Sequence, residues 1–206
     1  MTWGDFQRQY QAQRREKGDG YSQSDFDGMT DDERARARTM MLDRALQGDT
    51  IDLSGLRYIG DDGTVAALEA AADAVARLGW RDDIIRHEVL FELTGQGAYL
   101  TDLATYLDGR NPEAQERAAS AFTWYVLPTD AEPFLLDRIG DGGHEAAVLP
   151  LLQAWIAMHQ RAVCDIMCFQ KHLDLIRRVS DAAPGRRRAL LAAAVASLTV
   201  AGHDRG

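Results

Sequence analysis

The chain has 206 residues and a mass of 22.8 kDa, with 46% of its residues hydrophobic and 27% charged. That composition excludes a disordered or membrane-embedded chain, and the length is enough for one sizeable core. The net charge of −9 argues against a nucleic-acid binder, because neutralising phosphates needs a basic face. The 31 alanines, 22 leucines and 21 arginines far outweigh the 9 valines and 8 isoleucines. Straight-chain helix formers dominate and only 5 prolines interrupt them, so an all-α fold is expected.

Trp3, Phe6 and Tyr10 fall at i, i+3 and i+7, one stripe of a short N-terminal helix. Lys17 to Gly28, rich in Gly, Ser and Asp, reads as a loop. Thr30-Asp31-Asp32-Glu33 is a capping box, opening a helix that buries Ala37, Met40, Met41 and Ala45 and stops at Gly48. A short helical piece from Leu53 to Ile59 ends at Gly60. From Thr64 to Leu78 the stripe is Val65, Leu68, Ala72, Val75 and Leu78, closed by Gly79. Asp82 to Leu93 buries Ile85, Val89 and Leu93, and Tyr99, Leu100, Leu103 and Leu107 define the helix after it.

Asn111-Pro112-Glu113 sets a cap, a proline at the first helical position and an acid near the positive helix end, for a helix running to about Leu127. Thr129-Asp130-Ala131-Glu132 is a second capping box, for a short helix through Ile139. Gly140 to Gly143 is a plain turn, lacking the strand and the Lys-Ser/Thr of a phosphate loop. His144 to Met158 is helical with a kink expected at Pro150. Gln160 to Val179 continues helical, and Pro184-Gly185 precedes a last helix from Arg187 to Val200. The longest apolar run, Ala189 to Ala201, is too short to span a bilayer, and the N-terminus has no apolar signal region, so a cytoplasmic location is expected.

Charge is uneven along the chain. Residues 30–150 carry 23 acids against 11 bases, whereas residues 151–206 carry 4 acids against 8 bases. Such an acidic middle speeds and orients docking on a basic partner. Asp61/Asp62 and Asp82/Asp83 lie at helix N-termini, where the dipole favours them as caps or leaves them free to meet a partner. Arg177-Arg178 and Arg186-Arg187-Arg188 read as a solvated face.

The chemistry-bearing patterns are incomplete. His87-Glu88 and His144-Glu145 begin like a zinc-protease motif but lack the second histidine, having Phe91 and Val148 in its place. Cys164, Cys168 and His172 fall at i, i+4 and i+8, a spacing that puts the outer two about 12 Å apart along a helix, too far for one ion. The two cysteines are expected to pack rather than bridge, so no disulfide, metal or cofactor is expected. Trp124 and Tyr125 beside Asp130 would suit a DNA glycosylase built on helical repeats, but the acidic middle repels DNA. Trp124 is therefore expected in the core and Tyr125 at the rim.

A weak self-similarity runs through the chain: Leu56, Ile59, Gly63 and Val65 align with Leu90, Leu93, Gly97 and Tyr99 at a shift of 34 residues. That period, with two helices and a turn in each block, marks stacked helix pairs. On the stretches TDDERARARTMMLDRALQGD and LSGLRYIGDDGTVAALEAA the chain resembles small bacterial HEAT-like repeat proteins. It departs from them where the proline expected after the Gly-Asp turn is missing at Asp62 and Gln96. The resemblance implies an α-solenoid of stacked antiparallel helix pairs in one domain. It consists of an N-terminal helix and loop (1–29), repeats (30–143) and a C-terminal helical cap (144–206). It further implies a non-enzymatic binding role of the kind found among cytoplasmic immunity proteins that inhibit bacterial toxins. The expected partner is a basic toxin domain, met by Asp61, Asp62, Asp82, Asp83, Tyr99, Tyr125, Asp130 and Glu132, with no nucleic acid or membrane involved. The alternative is a structural adaptor or assembly subunit using the same surface in an oligomer.

Overall fold

The structure, a computed structural model, describes residues 2–11, 20–164 and 166–200, and within them every side chain except those at 196, 197, 199 and 200. Every regular element among these residues is helical, as the composition implies. The loop read from Lys17 and the apolar run ending at Ala201 extend outside the described residues. The chain divides into two compact units, Met1–Asp102 and Leu103–Gly206. Residue 29 falls within the first unit, whose core the N-terminal helix shares, and residue 143 within the second, where the helices on either side of it pack together.

The first unit contains α1 (Trp3–Gln11), α2 (Asp31–Ala45), α3 (Thr50–Gly55) with a 3-10 turn at Leu56–Tyr58, α4 (Asp62–Ala70), α5 (Ala72–Leu78) and α6 (Trp80–Thr94). It also holds the start of α7 (Ala98–Leu107). Phe6 is fully buried and anchors α1, its ring 5.4 to 6.2 Å from those of Trp3, Tyr10, Tyr21 and Phe26. Burying such a ring contributes about 1.5–3 kcal/mol. The Thr30 capping box forms as expected: Glu33 N–H donates to Thr30 Oγ1, and Thr30 N–H donates to the Glu33 carboxylate. Ala37, Met41 and Ala45 then face inward, with Met40 partly buried beside them.

Two stripes differ from expectation. A break at Ala71 (φ −92, ψ 7) splits the single helix expected over Thr64 to Leu78 into α4 and α5, and Leu78 ends 45% exposed. Helix α6 starts at Trp80 and touches α3, α4 and α5, so its buried face is broad. Ile84, Val89 and Leu90 are buried, while Ile85 and Leu93 are only partly so.

The second unit contains α8 (Pro112–Phe122), α9 (Glu132–Gly140), α10 (Val148–Gln160), α11 (Ile166–Lys171), α12 (Leu173–Ser180) and α13 (Pro184–Val200). Asn111 caps α8, accepting from the N–H groups of Glu113 and Ala114. Helix α8 stops at Phe122 instead of near Leu127, and the turn beyond it leaves Trp124 67% exposed. The expected core position of Trp124 is thus reversed. Pro150 causes no mid-helix kink: α10 begins at Val148, which puts Pro150 in the first turn, where its missing N–H costs no bond. Helix α10 is the centre of this unit, touching α8, α9, α12 and α13. Among the described residues no helix is long and apolar enough to cross a membrane.

Candidate functional site

The expected partner-binding residues fall in both units, and their surroundings differ sharply. Asp61 is the N-cap of α4, accepting from Thr64 N–H at 2.9 Å, and Arg38 lies 2.8 Å from its other oxygen. These interactions, the Thr64 N–H foremost, hold its carboxyl below the usual carboxylate range. Asp61 remains 46% exposed at its side chain, and Asp62 beside it in the first turn is exposed. Asp61 takes the capping role and Asp62 stands in the first turn, and both carboxylates still reach solvent.

Asp82 and Asp83 do not stand at the surface. They are 9% and 7% exposed, because α6 begins two residues earlier than expected and carries its first turn inward. Arg86 Nε donates to Asp83 Oδ1 at 2.9 Å, and Arg86 Nη2 lies 2.9 Å from His87 Nε2. A guanidinium has only donors, so His87 Nε2 accepts and the ring proton sits on Nδ1, which faces Asp102 Oδ2 at 3.7 Å. Burial raises the carboxyl pKa of Asp82. Tyr99 is also buried, and its hydroxyl donates to Glu69. That hydrogen bond, with burial, pushes the phenol up to about 12. Asp82, Asp83 and Tyr99 are therefore all buried within the first unit.

In the second unit Asp130 is exposed in a single 3-10 turn, Thr129–Ala131, and Tyr125 is half-buried. The capping box expected at Thr129 to Glu132 does not form, since α9 begins at Glu132 without a side-chain cap. The Glu132 carboxylate turns instead to α10, accepting from Trp155 Nε1–H at 3.2 Å and lying 2.9 Å from His159 Nε2. Glu132 thus joins two helices of its own unit.

Sequence reasoning missed three features of the second unit. Arg187, expected on a solvated face, is 2% exposed and donates to Ala182 O, Ile139 O and Glu145 Oε2. His144, singled out only as part of a failed zinc motif, is buried within 3.5 Å of both Asp108 and Asp141. Cys164 and Cys168, expected to pack without bridging, form a disulfide with their Cα atoms 5.1 Å apart. The physical cause of this correction is local. Arg161 takes a left-handed conformation (φ 54, ψ 32), the helix expected to run on from Gln160 stops, and Cys164 is left outside α11. The signal for the buried α6 cluster was present in the i, i+3, i+4 spacing of Asp83, Arg86 and His87; no comparable signal marks Arg187.

Among the described residues no group of three or more His, Cys, Asp or Glu side chains is arranged to hold a metal ion. The chain matches no family model, no curated protein and no solved structure.

Proposed function

We propose that the chain is a non-enzymatic protein-binding helical scaffold, a cytoplasmic immunity protein that inhibits a bacterial toxin through an acidic face. The observation that carries this reading is the concentration of 23 acids against 11 bases in residues 30–150, with Asp61, Asp62 and Asp130 reaching solvent. Acids so placed attract a basic partner and orient its approach. The docking set is narrower than the sequence suggests, because Asp82, Asp83, Tyr99 and Glu132 are engaged inside their own units. Helix pairing in the HEAT-like manner is supported by α9 on α10 and α12 on α13; the additional contact of α13 with α9 departs from a linear stack.

The test is co-purification from the source cells at low and moderate salt, followed by charge reversal of Asp61, Asp62 and Asp130 together. A basic partner that is toxic alone and harmless in the complex, binding more slowly to the reversed variant, upholds the reading. An association rate untouched by the reversal removes its electrostatic basis.

The second reading is a structural adaptor that assembles with copies of itself or with a larger complex. Ile166 and Met167, adjacent in the chain and 73% and 67% exposed, favour it, since contiguous exposed apolar groups mark contact surfaces. Sedimentation at micromolar concentration separates the two readings: a monomer favours the immunity protein, an oligomer the adaptor.

A further inference from the structure

The helical period that the sequence carries from Gln160 to Val179 is broken where Cys164 and Cys168 are joined. In an unbroken helix, residues four apart project side by side toward the N-terminus, a direction that does not bring two sulfurs into bonding geometry. The cross-link and a continuous helix are therefore alternatives for this segment. Two further observations concern the sulfurs themselves. Both cysteines are only partly buried, and the neighbouring Val163, Ile166 and Met167 are 45%, 73% and 67% exposed, so no packed layer of the described residues covers the bond. Gln160 Oε1 lies 3.2 Å from Cys168 Sγ, while the nitrogen of the same amide contacts His172 Nε2. With that amide nitrogen donating to His172, the oxygen facing Cys168 is an acceptor. A disulfide sulfur brings it no proton, whereas a thiol does.

We propose that Cys164 and Cys168 form a reversible redox centre that exchanges with thiol reductants. A reductant thiolate attacks Cys164 Sγ, so that the leaving sulfur is the one facing Gln160 Oε1. The Sγ–Sγ bond breaks, and its electron pair leaves on Cys168 Sγ, which takes up a proton and donates it as S–H to Gln160 Oε1. A second reductant thiol then attacks the mixed disulfide, releasing the Cys164 thiol. Two thiols of the reductant are oxidised to one disulfide, and the protein disulfide is reduced to two thiols. Reduction frees Cys164 from its covalent tie to α11.

The experiment incubates the full chain in buffers of stepped reduced-to-oxidised glutathione ratio, quenches with acid, labels free thiols with a maleimide and counts labels by mass. The expected result is two labels appearing together at a midpoint within the series, reversed by oxidised glutathione. Gln160→Ala moves that midpoint roughly threefold to tenfold toward more reductant, the loss of one ordinary hydrogen bond to the thiol form. Cys168→Ser treated with oxidised glutathione forms a mixed disulfide at Cys164 faster than Cys164→Ser does at Cys168. Two labels without any reductant overturn the proposal, because the bond then does not persist. No labels at the highest glutathione ratio, with both thiols released in denaturant by dithiothreitol, also overturn it, since the bond is then fixed.

Discussion

Arg187 and Glu145 meet at 2.7 Å across the second unit, with the guanidinium 3% exposed and the carboxylate 57% exposed at their side chains. The pair is lopsided. Arg187 also donates to the carbonyls of Ile139 and Ala182, so it ties the start of α13 to the end of α9.

That asymmetry gives an ordered pair of mutational costs. Glu145→Ala leaves a buried cation with only carbonyl partners, whereas Arg187→Met removes the charge, lets the exposed Glu145 return to water and keeps an apolar stem. Each change lies in the range of about 1–3 kcal/mol, with Glu145→Ala the larger. Urea unfolding of both variants checks the order, and a larger loss for Arg187→Met would show that the carbonyl bonds dominate.

Tyr21 donates to Asp52 Oδ1 at 2.8 Å, and both side chains are buried. Burial, reinforced by the Asp52 charge, holds the phenol well above its ordinary value of 10.0. The folded chain keeps this proton where the unfolded chain releases it. The stabilisation is complete below pH 10.0 and is lost progressively as pH rises above it, with Tyr99 adding to the loss as pH passes toward about 12. Tyr21→Phe flattens this alkaline decline and, near neutral pH, costs about 1–3 kcal/mol by removing a buried donor to Asp52. Chemical unfolding across that pH range, with phenolate absorbance followed in parallel, tests both statements.

Asp82 behaves in the opposite sense at neutral pH. Its carboxyl pKa is raised by burial, and among the described residues Oδ1 has no hydrogen-bond partner. The charged form is disfavoured in the fold, so Asp82→Asn raises the unfolding midpoint at pH 7. As pH falls through the raised value toward 3.8 the wild-type carboxyl takes up its proton, and the advantage of the variant disappears. An equal gain at both pH extremes would mean that charge is not the cause.

Gly60 ends the short helical piece after α3, and a Cβ there would lie 2.7 Å from Leu56 O and 2.6 Å from Leu93 Cδ1. Backbone oxygen cannot move aside cheaply, so Gly60→Ala costs about 1–3 kcal/mol through overpacking. Gly97→Ala, where none of the described residues meets a Cβ within 4 Å, is the matched control and stays within about 0.5 kcal/mol. Thermal unfolding of the two variants distinguishes a steric requirement at Gly60 from a general dependence on glycine.

The helices and their caps were legible because their causes are local. The Thr30 box, the Asn111 cap and the Trp3–Phe6–Tyr10 stripe depend on residues within two turns of one another, and all three form. The same local logic failed at Glu132, where the capping box lost to Trp155 and His159, residues 23 and 27 positions away. It failed at Trp124, whose place depends on where α8 stops, and at Asp82 and Asp83, whose burial depends on α6 being surrounded. Helical periodicity misread the cysteine pair for a related reason, since one left-handed residue, Arg161, changes the frame of everything after it.

The contrast between Trp124 and Trp155 makes the second unit its own optical reporter. With Trp3 and Trp80 of the first unit replaced by Phe, Trp155, fully enclosed, is expected to emit at short wavelength and to be shielded from dissolved iodide, and Trp124, 67% exposed, to emit at long wavelength and to be readily quenched. A partner that covers the 123–128 turn would silence the quencher without shifting the buried emission, whereas loosening of α10 would redden the protected component alone. Binding and unfolding of this unit can therefore be told apart in one cuvette, with no dye attached.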